Sequence, residues 1–190
     1  MKTLVWGVFL LSALAFTQAC NNSGSSGSSS GQDAVDSAKT ANKVNQPVQK
    51  DASDFAVEAA NGGMMEVELG KVAQDKAVSQ RVRDFGAMMV KDHSAADDNL
   101  KQIASNLNIT LPDSVSDDTR KDIDKLKMKK GKDFDKAYVD MMLEDHQKDI
   151  AKFRQCADNC SDSAIRSFAA TTLPTLEKHL DSIQAIASGK

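Results

Sequence analysis

The chain has 190 residues, with 24 Lys and Arg, 27 Asp and Glu and 3 His, and its formal net charge is −3. This length suffices for one domain. A mildly acidic chain lacks the basic surface that binds nucleic acid, and its charge also argues against a role driven by binding anionic lipid.

The N-terminus has the pattern of a secretory signal peptide. Lys2 precedes an apolar run over residues 4–16 that is too short to span a bilayer, and small residues then lead to Cys20. Residues 14–20 are similar to a bacterial lipobox, in which the cysteine is lipidated; ordinary cleavage after Ala19 is the alternative. We therefore predict a signal peptide over residues 1–19, lipidation of Cys20, and a protein of the bacterial cell envelope facing the periplasm or the cell surface. Its partner would be the membrane, contacted through the lipid.

A polar segment follows the cysteine. Residues 22–31 contain only Asn, Ser and Gly, and the chain stays polar up to Ser53. Such a composition does not bury a core. We predict a disordered tether over residues 20–53 and a folded domain over residues 54–188.

Apolar residues at intervals of three and four predict helices through the whole folded part. The first runs from Asp54, as N-cap, to about Lys76, and Gly62-Gly63 weakens its middle. The second runs from Ser79 to about Asn106. A short third helix begins at the cap Ser116 and ends before Gly131.

Two further helices complete the prediction. One covers about residues 132–158, and the last covers about residues 161–188, where Pro174 predicts a kink or break near Leu173. Four long helices and one short one predict an all-α fold: an antiparallel four-helix bundle, ferritin-like, with the short helix in the crossover.

The histidines occupy core positions of three of these helices. The pattern Met-Met-x-x-Asp-His occurs at residues 88–93 and 141–146, and His179 lies in a similar apolar stripe. A polar side chain is costly in a core unless it has a partner. The three histidines are therefore expected to meet along the bundle axis.

Several segments resemble the DUF4142 family, exported bacterial proteins of unknown function that are grouped with ferritin-like bundles. The similarity lies in residues 63–73, 84–93, 134–138, 145–146 and 173–180, in the family's order. It covers nearly all of the predicted domain. The resemblance implies the fold and an exported location, and it implies no activity.

A metal site is one interpretation of these polar core residues. Imidazole and carboxylate groups bind Zn²⁺ or Cu²⁺, and thioethers favour Cu(I). The candidate ligands are His93, His146, His179 and Glu66, with Met89 and Met142 as weaker ones, and Asp97 and Asp149 are candidates for orienting the rings. Iron is disfavoured because Val90, Leu143 and Leu176 stand where a Glu-x-x-His di-iron pattern needs Glu.

The alternative interpretation is a buried hydrogen-bonded network that fixes the register of the bundle. Counting from the turns places Glu66 and His93 ~6 Å apart in height, and His146 and His179 ~9 Å apart, so a pair or trio of ligands is favoured over four. No phosphate loop or nucleophile elbow is present. The sequence thus favours a non-enzymatic binding or structural module, with a copper or zinc buffer or redox protein as the alternative.

Cys156 and Cys160 are spaced for a local cross-link at a helix end. In an oxidising compartment this spacing predicts a disulfide, or two reduced thiols, rather than a soft metal pair.

Overall fold

A computed structural model describes residues 33–189 of the chain. The predicted signal peptide, Cys20 and the Ser/Gly-rich stretch lie outside the described residues. Within the described range the chain is helical without strands. The helices are α1 (Ala34–Asn45), α2 (Lys50–Lys76), α3 (Gln80–Asn106), α4 (Asp117–Met128), α5 (Gly131–Asn159) and α6 (Ser163–Ala187).

Helices α2, α3, α5 and α6 form the four-helix bundle, as predicted. The hairpins α2–α3 and α5–α6 have the most extensive interfaces, and α2 also packs on α5 and α3 on α6. The Asp135 carboxylate, near the start of α5, accepts hydrogen bonds from the N–H groups of Val78 and Ser79 between α2 and α3. At the opposite end, Asp51 of α2 accepts hydrogen bonds from Ser161 between α5 and α6. Neighbouring helices therefore run antiparallel, and α4 lies in the crossover.

The folded part begins earlier than the sequence suggested. Residues 34–45, predicted to belong to the disordered tether, form α1, which packs on α2. Asn42 of this helix donates a hydrogen bond to the Thr110 carbonyl (2.9 Å) and accepts one from the Thr110 N–H (2.7 Å). Helix α2 also starts at Lys50, so Asp54 lies inside a helix and is not its cap.

Two other local predictions differ from the structure. Helix α6 continues through Pro174 without the expected break. Helix α4 ends at Met128, before Gly131 as predicted, but Gly131 does not directly follow it and is instead the first residue of α5, where its φ of +57° favours glycine. Ser116 does cap α4, because its hydroxyl accepts a hydrogen bond from the Thr119 N–H.

The core consists of two hydrophobic clusters, one in each half of the bundle. One contains Phe55, Phe153 and Phe168, whose rings pack edge to face or tilted. The other contains Phe134 and Tyr138, with stacked rings. On each of the four long helices the chain passes from one cluster to the other, and a polar residue lies between them. These residues are Glu66 on α2, His93 on α3, His146 on α5 and His179 on α6.

Cys156 and Cys160 are joined by a disulfide across the last turn of α5, with their Cα atoms 4.6 Å apart. Within residues 33–189, none of the helices has both the length and the apolar content needed to cross a membrane.

Candidate metal centre

The three histidines meet at the centre of the bundle. Their ring centroids are 5.3–5.7 Å apart, and one ring nitrogen of each lies within 4.8 Å of one from each of the others. His146 and His179 are fully buried, and His93 is 6% exposed. Phe85 covers the cluster on one side, in edge-on contact with His146 and His179. The sequence prediction that the three rings point inward is therefore met.

His146 has a defined tautomer. Its Nδ1 lies 2.9 Å from the backbone carbonyl oxygen of Met142, one turn earlier on α5. A carbonyl oxygen only accepts hydrogen bonds, so Nδ1 carries the proton. Burial, together with the nearby rings of His93 and His179, lowers the pKa of His146 to about 3, so the ring is neutral at physiological pH. Its Nε2 consequently presents a lone pair to the interior.

His179 is anchored in the same manner from the other side. Its Nε2 lies 2.9 Å from Oδ2 of Asp92, on α3. The carboxylate accepts this hydrogen bond, so Nε2 carries the proton and Nδ1 is left with a lone pair. Burial lowers the pKa of His179, although the hydrogen bond to Asp92 acts in the opposite direction. The unprotonated Nδ1 of His179 lies 3.3 Å from the unprotonated Nε2 of His146.

His93 pairs with Glu66 of α2. Nδ1 of His93 is 2.7 Å from Oε2 of Glu66, while Nε2 of His93 is buried without a hydrogen-bond partner. Burial also lowers the pKa of His93. Burial raises the pKa of Glu66 well above its usual range, with Asp149 and Asp97 contributing in the same direction. The other Glu66 oxygen, Oε1, lies 3.5 Å from Nε2 of His146 and makes no hydrogen bond.

The partners of the rings differ from those expected. Asp97 and Asp149 were expected to orient the histidines. The rings are instead contacted by other groups: His93 by Glu66, His146 by the Met142 carbonyl and His179 by Asp92. Asp97 and Asp149 instead line a small cavity beside Glu66 and His93. Met142 contributes its backbone carbonyl to the site, and the side chains of both Met89 and Met142 belong to the hydrophobic cluster around Phe134.

Two aspartates of the site were missed by the sequence interpretation. Asp92 and Asp145 each precede a histidine, and sequence neighbours on a helix point about 100° apart, so neither was assigned to the ring beside it. Asp92 instead contacts the histidine of another helix. Asp145 lies beside Glu66 and Asp149, and one oxygen of each of these three residues lies within 4.8 Å of the others. The repetition of Asp-His on α3 and α5 is the sequence feature that could have identified Asp92 and Asp145 as residues of the site.

Comparison with a solved structure agrees with the helical fold. The chain resembles the crystal structure of a protein described as a secreted DUF305 protein from Streptomyces coelicolor, with a TM-score of 0.60 and 16% sequence identity. The match covers 73% of this chain and 93% of that one. At this identity the likeness shows the fold alone. No match to a curated protein was found.

The family model described as "Domain of unknown function (DUF4142)" matches residues 36–186, which span α1 to α6 almost completely. Since the match covers far more than half of the sequence, this chain belongs to the DUF4142 family.

Proposed function

We propose that this protein is an exported envelope protein that binds one transition-metal cation of the zinc and copper class at a centre formed by His93, His146 and His179. The observation that carries the proposal is the state of the three rings. His146 and His179 each donate a hydrogen bond from one ring nitrogen to a fixed acceptor, and His93 pairs with Glu66 through Nδ1. The remaining nitrogens of His146 and His179 lie 3.3 Å apart, and Nε2 of His93 is buried without a hydrogen-bond partner. Metal-bound histidines have this arrangement, because the hydrogen bond at one nitrogen fixes the tautomer that binds at the other.

The distance between two of the free nitrogens fits a tetrahedral cation. Zinc–nitrogen bonds of about 2.0–2.1 Å and tetrahedral angles place two ligand nitrogens about 3.3 to 3.4 Å apart. Nε2 of His146 and Nδ1 of His179 are 3.3 Å apart. Oε1 of Glu66, 3.5 Å from the same His146 nitrogen, is available for the fourth position.

A purely structural network explains these contacts less well. Two neutral rings whose protons are already donated elsewhere present lone pairs to each other, and this contact repels unless a proton or a cation lies between them. Burial lowers the pKa of both His146 and His179, which disfavours the extra proton. A bound cation satisfies both lone pairs together with Nε2 of His93.

The centre is suited to holding a metal and offers little access to a substrate. His146 and His179 are fully buried, and hydrophobic clusters close the bundle above and below them. A non-enzymatic role in storing or buffering the metal therefore fits better than catalysis.

The proposed location rests on the N-terminal sequence. The signal-peptide pattern and the lipobox-like residues before Cys20 support export and attachment to a membrane by lipid. An intact-mass measurement of the mature protein tests the anchor, and a mass that corresponds to an unmodified N-terminal cysteine would exclude it.

Metal analysis tests the proposed centre. The full-length protein, purified without chelators from the envelope fraction in non-ionic detergent, is expected to retain one Zn or Cu per chain by elemental analysis. His146→Gln should lose this metal, because Gln lacks the ring nitrogen that faces the cation. Gln147→Ala changes the exposed neighbour and should keep the metal.

The proposal is wrong if the wild-type protein binds neither Zn²⁺ nor Cu²⁺ after both have been added. Retention of the full metal content by His146→Gln would also contradict it. Circular dichroism of each variant checks that the helical fold is kept.

A further inference from the structure

A group of carboxylates lies next to the histidines without a counter-charge. Glu66 comes from α2, and Asp145 and Asp149 come from one face of α5, with an oxygen of each within 4.8 Å of the others. Asp97 of α3 lines the same small cavity as Glu66 and Asp149.

The backbone of α2 makes room for these carboxylates. A Cβ atom on Gly63 would lie 2.1 Å from Oδ1 of Asp97, and one on Gly62 would lie 3.4 Å from Oδ2 of Asp149. Gly63 therefore leaves the space that the Asp97 carboxylate occupies against the helix backbone, whereas a Cβ on Gly62 would make only an ordinary van der Waals contact with Asp149. Each glycine costs helix stability of ~1 kcal/mol relative to alanine, so helix formation alone does not explain the pair.

No cation of the protein neutralises the group. Among residues 33–189, no lysine or arginine nitrogen lies within 4 Å of the carboxylates of Glu66, Asp97, Asp145 or Asp149. The nearby Lys148 and Lys152 pair with other acidic residues, Glu144 and Glu58. Buried carboxylates without a partner are costly.

Two oxygens in this group have no hydrogen-bond partner. They are Oε1 of Glu66, whose residue is 1% exposed, and Oδ2 of Asp145, a buried atom. Beside Glu66 lies a cavity of about 20 Å³ that is lined by His93, Asp97 and Asp149. A cavity of this volume has room for about one water molecule, and a bare divalent cation is smaller than a water molecule.

We propose a second cation site, formed by Glu66, Asp145 and Asp149, next to the small cavity that Glu66 and Asp149 line together with Asp97. Oxygen-only donors suit a hard divalent cation such as Mn²⁺, whereas the imidazole nitrogens of the first centre suit Zn²⁺ or Cu²⁺. The two sites adjoin at Glu66, which has one oxygen at His93 and the other near His146. Two divalent cations would balance the four negative charges of Glu66, Asp97, Asp145 and Asp149. This inference goes beyond the three-histidine centre, because it adds Asp145 and Asp149 as ligands and shares only Glu66 with that centre.

Sequential loading with two metals tests the second site. The metal-free full-length protein receives one equivalent of Zn²⁺ and is then titrated with Mn²⁺, whose free hydrated form is measured by electron paramagnetic resonance. The wild type should bind one Mn²⁺ per chain and keep its Zn²⁺. Asp145→Asn, which preserves the shape of the side chain, should weaken Mn²⁺ binding by more than about 100-fold, since loss of an outer-shell partner alone costs 10–100-fold.

Matched variants separate the two sites. Asp140→Asn removes an exposed carboxylate of the same helix, which pairs with Lys136, and should bind Mn²⁺ as the wild type does. His146→Gln should lose Zn²⁺ and still bind Mn²⁺. Asp149→Asn provides a second test of the site if Asp145→Asn loses its helical circular dichroism.

Three results would overturn the second site: no uptake of Mn²⁺ by the zinc-loaded protein, equal losses in Asp145→Asn and Asp140→Asn, or displacement of Zn²⁺ by Mn²⁺ in a one-to-one exchange. The last result would mean a single shared site and would leave metal binding intact. Failure of the three-histidine centre has a different signature, because Zn²⁺ binding would then be absent or insensitive to His146→Gln.

Discussion

Asp92 of α3 orients one ring of the proposed metal centre, that of His179 on α6. Its side chain is 23% exposed, and its Oδ2 accepts the hydrogen bond from Nε2 of the fully buried His179. The carboxylate therefore joins the solvent side of α3 to the bundle centre. It fixes the tautomer in which Nδ1 of His179 is free to bind a cation.

Replacing Asp92 by Asn should weaken zinc binding by about 10–100-fold, the usual effect of losing an outer-shell partner of a ligating histidine. The amide oxygen still accepts a hydrogen bond, but the negative charge that strengthens the ligand is lost. Competition against a chromophoric zinc chelator measures the change. Asp98→Asn is the matched control, since Asp98 is exposed on the same helix and pairs only with Lys101. Equal zinc affinities for both variants would contradict the role of Asp92.

The inward direction of the histidines could be predicted from sequence, but their contacts were underestimated. Counting residues from the turns placed the polar residues at different heights along the bundle axis, so a cluster of all four was not expected. Nδ1 of His93 and Oε2 of Glu66 are nevertheless 2.7 Å apart. Side chains on a helix lean towards its N-terminus. His93 lies farther from its turn than Glu66 and leans back towards it, while Glu66 leans away from it. The same geometry brings together His146 and His179.

At the scale of the helices, α2 and α3 approach each other closely at a pair of glycines. A Cβ on Gly70 would lie 2.6 Å from the Gly86 carbonyl oxygen, and one on Gly86 would lie 2.7 Å from the Gly70 carbonyl oxygen. Both obstacles are backbone atoms, so rotation of a side chain does not relieve them. This contact lies one turn from Glu66 and sets the separation of the two helices near the site.

Gly70→Ala should therefore destabilise the fold by about 1–3 kcal/mol, the usual cost of overpacking, despite the better helix propensity of alanine. Urea unfolding followed by circular dichroism measures the change in the free energy of unfolding. Gly62→Ala is the control, because its Cβ would meet only Asp149 Oδ2 at 3.4 Å and the helix gains propensity. A Gly70→Ala protein as stable as Gly62→Ala would argue against the close approach.

The sequence predicted the four long helices because each buries a continuous apolar stripe. Helix α1 lacked this signal: only Ala38 and Asn42 are buried in it. It is held instead by polar contacts to distant residues, such as the hydrogen bonds between Asn42 and Thr110 and that from the Asp117 N–H to Asp33. The spacing of apolar residues along a sequence cannot predict contacts of this kind. The polar helix α1, which follows a low-complexity stretch, was therefore predicted to belong to the tether.

Over the whole molecule, the polar layer divides the core in two. The hydrophobic clusters on either side stabilise the bundle without metal, whereas the layer contains buried polar groups whose removal from water opposes folding. Each bundle helix contributes one of Glu66, His93, His146 and His179, so a bound cation would join all four helices at mid-height. Metal binding and stability should thus be linked.

The buried carboxylates give the metal-free protein an unusual dependence on pH. Burial, with the charges of Glu66 and Asp149, raises the pKa of Asp145 from 3.8 to about 9. Between these values the folded state holds a proton that the unfolded state has released, so the free energy of unfolding falls as pH rises. The histidines make the free energy of unfolding rise with pH, but only below about pH 6.5, because above this pH they are neutral in both the folded and the unfolded state.

We therefore expect the metal-free protein to lose stability between about pH 6.5 and 9, by on the order of 1 kcal/mol per pH unit from Asp145. Asp145→Asn does not ionise at this position and should show a shallower loss of stability, with the raised pKa values of Glu66 and Asp149 responsible for what remains. Asp140→Asn, altered at an exposed position of α5, should keep the wild-type slope. Urea unfolding in the presence of a chelator at several pH values measures all three. A wild-type stability that is constant or rises over this interval would mean that these carboxylates are already ionised in the folded protein, with their charge compensated by groups other than a metal.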